Sequence, residues 1–319
     1  MNELRVRVTQ IADEAEGIRS FTLAPTDGTP LPPWEPGGHI DVHLKPGLTR
    51  QYSLTNGPDE TDAYRIAVKR EPVSRGGSGH MHAEVRVGSE LLISPARNNF
   101  PLAENASRHL LLAGGIGITP VLAMGKHLHA RQEAFALHYF ARGPQHAAFV
   151  GWLDQSVWRE QVNFHYGMAP DEQRGYLKTL LGQPDEGTHL YMCGPGAFMD
   201  MVDAVARECG WPARQVHCEY FSAPAPVDSS GQAFELVLAK SQVRLRVEPH
   251  MSMLDAMRGA GIEIETSCEQ GVCGTCLSKV LEGTPDHRDL YLNPDEQALG
   301  TMVLPCVSRS CSARLVLDL

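Results

Sequence analysis

The sequence predicts a multidomain protein of three parts in series: an antiparallel β-barrel over 1–102, an α/β domain with a parallel sheet over 103–226, and a small α+β domain over 227–319. Three observations predict this. Residues 1–102 hold short alternating polar and apolar runs broken by Gly and Pro, the pattern of many short strands closing on themselves. Residues 103–226 alternate apolar strands with helical stretches, as parallel sheets do. The last part brings strands, one short helix and a concentration of cysteine.

Taken in order, the barrel strands are marked by Leu4-Arg5-Val6-Arg7-Val8, Ser20-Phe21-Thr22-Leu23, Ile40-Asp41-Val42-His43-Leu44 and Tyr64-Arg65-Ile66-Ala67-Val68. The strand His109-Leu110-Leu111-Leu112-Ala113 then runs into a Gly-rich turn, and a helix is predicted over 120–132. Phe135-Ala136-Leu137-His138-Tyr139 reads as the next strand, and Leu190-Tyr191-Met192-Cys193 leads through Gly194-Pro195 into another helix. Residues 222–231, rich in Pro, Ser and Ala, read as a linker. Beyond it, strands are predicted over 234–238 and 243–247, with a helix over about 252–260.

Composition narrows the function. The 319 residues fit two or three domains at roughly 150 residues each. A formal charge of -10 and a pI near 5.8 argue against nucleic acid or an anionic membrane as partner, because both select a basic face. The apolar run 110–125 is too short to span a bilayer and is interrupted by Gly, Thr and Pro. The first residues alternate like a strand and hold no apolar signal core, so a cytoplasmic protein is expected.

Five of the eight cysteines fall in the last 52 residues, which in a reducing compartment points to metal rather than disulfides. Their spacing is Cys268-x4-Cys273-x2-Cys276, then 29 residues, then Cys306. This is the plant-type arrangement for a [2Fe-2S] cluster, with three thiolates on one loop and the fourth from a distant segment. Gly271 and Gly274 let that loop curl so that backbone N–H groups face sulfur. Structural zinc favours paired C-x2-C knuckles, and only one such pair is present. Cys311 is the rival fourth ligand, and a plain core cysteine is the preferred reading of it.

Ala113-Gly114-Gly115-Ile116-Gly117-Ile118-Thr119-Pro120 follows a strand and precedes a helix, the setting in which a backbone cradles a pyrophosphate. Thr119 is expected to cap that helix and Pro120 to open it. A ribose-binding carboxylate is missing after the second strand, which runs into Ala141-Arg142-Gly143. An Arg there suits a 2′-phosphate, so the residues alone leave NADH and NADPH both open. In the barrel, Arg50, Tyr52 and Ser53 offer a phosphate ligand, a stacking ring and a hydroxyl. Arg75-Gly76-Gly77-Ser78 offers a second anion cradle.

Together these segments resemble the phthalate dioxygenase reductase and vanillate demethylase reductase family, the single-chain reductases of Rieske oxygenases. Arg50-x-Tyr52-Ser53 resembles the flavin motif of the ferredoxin–NADP reductase superfamily. Gly76-Gly77-Ser78 and Asn98-Asn99-Phe100-Pro101-Leu102 are similar to the family's flavin-domain segments. The loop 114–120 and Cys193-Gly194-Pro195 resemble its pyridine-nucleotide motifs, and His217-x-Glu219-x-Phe221 the end of its nucleotide domain. The four cysteines resemble its C-terminal ferredoxin domain, and the likeness covers the whole chain.

The resemblance implies a ferredoxin reductase-like pair of domains followed by a β-grasp ferredoxin domain, with FMN rather than FAD, and NADH as donor. It implies that Arg50 and Ser78, beside Gly77, hold the flavin phosphate, that Tyr52 packs on the isoalloxazine, and that Ser53 approaches its reactive nitrogen. Ala67, Val68 and Lys69 would offer backbone contacts to the pyrimidine edge. Gly115, Gly117, Thr119, Gly194 and Pro195 would bind the nucleotide, with Cys193 near the nicotinamide. Phe221 would cover the other flavin face until nicotinamide displaces it. Ser53, Cys193 and Phe221 are thus the expected catalytic residues.

A hydride carries two electrons and a [2Fe-2S] cluster accepts one, so a flavin between them reconciles the counts. The domain order is then also an electron path to an external acceptor, a Rieske-type oxygenase component, with the reductase itself a monomer. Residues 227–319 count 8 Lys+Arg against 13 Asp+Glu, a net of -5. That surface is either plainly solvated or steers a basic partner face. No Rieske-type ligand pattern and no facial triad occurs in the sequence, so oxygen activation is expected on another protein. The alternatives are an electron-transfer subunit serving a different acceptor, such as a dehydrogenase partner, and a non-catalytic electron carrier.

Overall fold

The computed structural model describes residues 3–45, 47–58, 60–72, 76–223 and 230–319. Two compact units result, Met1–Glu219 and Tyr220–Leu319. The expected boundary at 226/227, most of the expected linker, and Arg75 lie outside the described residues.

The first unit opens with a barrel of strands β1 (Leu4–Ala15), β2 (Ile18–Pro25), β3 (Gly38–Lys45), β4 (Leu48–Ser53), β5 (Tyr64–Lys69) and β6 (Glu90–Ile93), with the short β7 (Arg97–Asn98) paired to β3. The order is β4-β3-β6-β1-β2-β5, all antiparallel, and a bridge between Leu54 and Ile66 joins its two ends. The period-2 alternation does what it should. Val6, Val8, Phe21, Leu23, Ile40, Val42 and Ile66 point inward with no exposed surface. Each such side chain contributes about 1.5–3 kcal/mol of burial. A short helix α1 (Gly77–Ala83) packs over β3, β4 and β5.

A five-stranded sheet follows in the same unit: β8 (Arg108–Gly114), β9 (Phe135–Ala141), β10 (Val162–Tyr166), β11 (Thr188–Cys193) and β12 (Val216–Glu219). Its order is β10-β9-β8-β11-β12 and every pair is parallel. The crossovers carry α2 (Ile118–Ala130), α3 (Val150–Gln155), α4 (Pro170–Leu181) and α5 (Gly196–Glu208). Helix α2 is apolar nearly all round because it is covered on both sides: Ala123 belongs to the barrel core, whereas Val121, Met124 and Leu128 belong to the sheet core.

The start of α2 differs from expectation. A 3₁₀ turn over Gly115–Gly117 runs directly into the helix at Ile118, so Thr119 lies within the first turn and is not the cap. Its hydroxyl donates to Ile116 O at 3.0 Å. Pro120 is the third helical residue, where the missing N–H is still one of the orphan donors of a helix start.

The second unit is a sheet of β13 (Phe234–Leu238), β14 (Val243–Val247), β15 (Ser278–Glu282), β17 (Met302–Val303) and β19 (Arg314–Leu317), ordered β14-β13-β19-β15-β17. A separate two-strand ribbon pairs β16 (Pro285–Asp286) with β18 (Arg309–Ser310). Only β13 and β19 pair in parallel. Helix α6 (Met253–Gly259) covers the sheet; Ser252 caps it, accepting from Asp255 N at 3.0 Å, and Met253 and Met257 enter the core. Helix α7 (Pro294–Leu299) is capped in the same way by Asn293. Arg309 is 1% exposed. Its guanidinium donates to Gln232 O at 3.0 Å, Glu248 O at 3.2 Å and Met251 O, joining the segment after Cys306 to the start of the sheet. Among the described residues, no helix is long and apolar enough to cross a membrane.

One barrel residue makes stability depend on acid. His39 on β3 is 1% exposed, and neither ring nitrogen has a hydrogen-bond partner among the described residues. Burial, aided by the Arg97 charge, pushes it down from 6.5 to about 3. A histidine with a depressed folded pKa contributes its full stability above the unfolded value and loses it as pH falls between the two. His39 is therefore expected to cost the barrel about 2 kcal/mol between pH 6.5 and 5. Native-state hydrogen exchange of barrel amides, compared between the wild type and His39→Asn, measures this. An acid limb of equal slope in both would rule His39 out as its source.

Candidate functional site

In the second unit the four cysteines meet as two pairs. The Cys276 and Cys306 sulfurs lie 3.3 Å apart. The Cys268 thiol donates to Cys273, which pulls Cys273 down and, with burial, pushes Cys268 up. Backbone donors surround the set: Gln270 N–H meets the Cys268 sulfur at 3.3 Å and Gly271 N–H meets Cys306. The loop can do this because Gly271 and Gly274 hold φ near +72° and +71°, a region that L side chains avoid. Behind Cys306, Asp289 accepts from Ser308 Oγ at 3.2 Å and Leu292 N at 2.9 Å, fixing the distant segment against the loop.

Among the described residues, no three His, Cys, Asp or Glu side chains converge on a single ion position. Sulfurs in two pairs suit two iron atoms, each needing two thiolates. Cys311, expected as a plain core cysteine, is instead exposed, with its N–H donating to Thr284 O at 2.9 Å.

In the first unit, β4 brings forward Arg50 and Tyr52 on one face and Ser53 on the other. Arg50 lies across the start of α1, where a Cβ on Gly77 would stand 2.4 Å from Arg50 Cγ; only glycine lets the guanidinium stem lie so close. Burial pushes the Tyr52 hydroxyl up. Ser78 Oγ accepts from Glu71 N at 3.1 Å. Ala67, Val68 and Lys69 pair with β2 on one edge only. Beyond the Leu54–Ile66 bridge the other edge of β5 has no strand among the described residues, although His82 Nε2 already meets Val68 O at 2.8 Å.

Ser53 donates to Glu219 Oε2 at 3.4 Å, a contact the sequence did not disclose. Burial raises Glu219 to about 8, and the Ser53 hydrogen bond only partly offsets this.

A cleft of about 780 Å³ runs beside the C-terminal ends of β8 and β9. Gly115 and Pro195 line it, as does Lys69 from the barrel. Gly117, Gly194, Thr119 and Cys193 stand behind this wall. A Cβ on Gly117 would lie 2.1 Å from Cys193 O, so that glycine serves the close packing of two loops. Cys193 is fully buried, which pushes its thiol well up. The cleft also gathers Arg70, Arg142, His146 and His165. Of these only Arg142 stood out in the sequence; Arg70 directly follows the Ala67-Val68-Lys69 run and its place there was the available signal. Phe221 belongs to the second unit and is 41% exposed.

Comparison with known proteins agrees with both halves. Residues 236–311 match the 2Fe-2S iron-sulfur cluster binding domain, and residues 90–216 the N-terminal domain of dimethylamine monooxygenase subunit DmmA-like proteins. The chain is 46% identical over 305 residues to a vanillate O-demethylase oxidoreductase of Pseudomonas sp., covering 96% of each. Among solved structures it resembles phthalate dioxygenase reductase, described as a modular structure for electron transfer from pyridine nucleotides to [2Fe-2S], with a TM-score of 0.75, 36% identity, and coverage of 100% of this chain and 98% of that one. It also matches an intact type IV self-sufficient cytochrome P450 monooxygenase at TM-score 0.89 and 35% identity, there spanning 99% of this chain but only 41% of that one. On a barrel, a parallel sheet and a paired-cysteine domain in one chain, and on identity along nearly its whole length, the protein belongs to the vanillate O-demethylase oxidoreductase family and is an oxidoreductase of the phthalate dioxygenase reductase type.

Proposed function

We propose that this protein takes hydride from NADH onto FMN and passes single electrons through a [2Fe-2S] cluster to a separate oxygenase, of the Rieske type. The observation that supports it most is the pairing of the four sulfurs, two and two, in a chain that also holds a flavin-type barrel and a cationic nucleotide cleft. The bound flavin supplies the exchange between a two-electron donor and a one-electron acceptor.

The chain's own residues bind and orient. Arg50 and Ser78 hold the flavin phosphate, Arg50 through a planar fork suited to two oxygens. Tyr52 would pack on the flavin ring, Ser53 would approach the reactive nitrogen, and the backbone at Ala67, Val68 and Lys69 would meet the pyrimidine edge. Gly115 and Pro195 face the nucleotide, with Gly117, Thr119 and Gly194 shaping the loops behind them. Arg70 and Arg142 meet its phosphates. Cys193 would sit near the nicotinamide, and Phe221 would cover the flavin until nicotinamide displaces it. Glu219, pushed up to about 8 by burial and bonded to Ser53, fixes that hydroxyl. Cys268, Cys273, Cys276 and Cys306 hold the cluster. The domains run 1–102, 103–226 and 227–319, and the protein works as a cytoplasmic monomer.

Replacing Cys306 by Ser is expected to abolish the cluster's visible and EPR signals, whereas Cys311→Ser leaves both intact. The reverse pattern would transfer the ligand role to Cys311.

A fragment ending at Ser222 keeps both hydrophobic cores of the first unit. It is expected to bind flavin and reduce ferricyanide with NADH at a rate near that of the full chain. Cytochrome c reduction and oxygenase turnover should fall by at least about tenfold, since the one-electron outlet is gone. Chromatography of the flavin released by acid should show FMN. Undiminished oxygenase turnover by the fragment would exclude the cluster from the path, and turnover with a haem oxygenase in place of a Rieske protein would change the partner class.

A further inference from the structure

We propose that a second cavity, between the outer wall of the barrel and helix α2, is a binding site for a small aromatic carboxylate. The cavity measures about 230 Å³ and shares no lining residue with the nucleotide cleft.

One wall is the outside of the barrel. Tyr64 and Ile66 of β5 point into the barrel core, so the alternation turns Arg65 outward into the cavity. Glu14 and Ser20 face it from β1 and β2. The opposite wall is Leu122 and Lys126, one turn apart on α2, with Phe149 and Trp152. Polar groups thus collect on the barrel side, whereas the other wall is apolar apart from Lys126.

The charges do not balance within this space. The Lys126 ammonium donates to Thr55 O at 2.9 Å and stands 4.6 Å over the Trp152 ring. Among the described residues no carboxylate lies within ion-pair distance of it, and burial pushes it down to about 8 despite the more distant Glu60 and Glu14. The Arg65 guanidinium has neither a hydrogen bond nor an ion pair among the described residues. The single carboxylate present, Glu14, accepts from Ser20 Oγ at 2.6 Å. Two partly buried cations therefore face one cavity with one acidic group, itself already engaged.

An anion completes this arrangement. A carboxylate suits the Arg65 fork and the Lys126 point charge together. Its remainder must then lie along Leu122, Phe149 and Trp152, which favours an aromatic ring over a hydrated inorganic ion. Size agrees: a cavity of about 150 Å³ accepts benzene, and sites for larger ligands begin near 300 Å³, so a single ring with a carboxylate fits and a nucleotide does not. This site stands independently of the electron-transfer reading.

Titration calorimetry on the full-length holoprotein tests it, with benzoate, benzyl alcohol and inorganic phosphate as probes. Benzoate is expected to bind at one site, with benzyl alcohol and phosphate each at least about tenfold weaker. Lys126→Met and Arg65→Gln should each weaken benzoate by about tenfold or more. Arg65 lies on the outer barrel wall, so Arg65→Gln decides the matter if Lys126→Met fails to fold. Absence of benzoate binding up to about 10 mM, or equal affinity in wild type and Arg65→Gln, overturns the proposal. Phosphate binding as tightly as benzoate overturns the ligand class, and so does benzyl alcohol binding as tightly.

Discussion

The nucleotide side of the molecule depends on how closely two loops approach each other. Strands β8 and β11 are neighbours in parallel register, with Ala113 opposite Cys193, so the loops leaving their C-terminal ends emerge side by side. Gly117 lies so near Cys193 O that no side chain fits between them. Gly114 and Gly194 meet in the same way, each against Phe198. Because these three residues give up side chains, Gly115 and Pro195 can present backbone to the cleft from adjacent strands. Ligands of open parallel sheets bind at the carboxyl ends of the strands, and the cleft lies there.

The second unit solves a different problem, that of holding four sulfurs in two pairs. Three thiols sit on one loop whose geometry is local, dictated by two left-handed glycines. The fourth has to be delivered from 30 residues away, and this segment is secured by buried polar contacts rather than by apolar packing alone. Asp289 and Ser308 bind it on one side and Arg309 on the other. A buried guanidinium is costly to leave unpaired, and here main-chain carbonyls satisfy it. The electron count needs that precision, since each iron requires both members of its pair.

What was legible in the sequence was what depends on neighbours along the chain. The three-part fold class, the strand positions and the cysteine spacing all rest on local period or local motif. Thr119 was misplaced because a 3₁₀ turn merges with α2, and residue types alone do not distinguish a cap from a first turn. Glu219 was invisible as a partner of Ser53 because the two are 166 positions apart and meet only through the register of β12 beside β11. The cavity cations Arg65 and Lys126 were likewise hidden: each reads as an ordinary exposed charge until barrel and helix are set face to face.

The order of strands in the second unit has a consequence for how the protein is made. Its sheet runs β14-β13-β19-β15-β17, so the central strand is made after the four that flank it. Until Arg314–Leu317 has left the ribosome, β13 and β15 have no strand to join them, and the parallel ladder closes over some of the longest sequence separations in the unit. The first unit, complete at Glu219, has no such dependence. At roughly 5–20 residues per second, it has several seconds to fold before the cysteine-bearing unit can begin. Flavin can therefore be taken up by a nascent chain that ends at the first unit, whereas iron and sulfide must wait until β19 has been made.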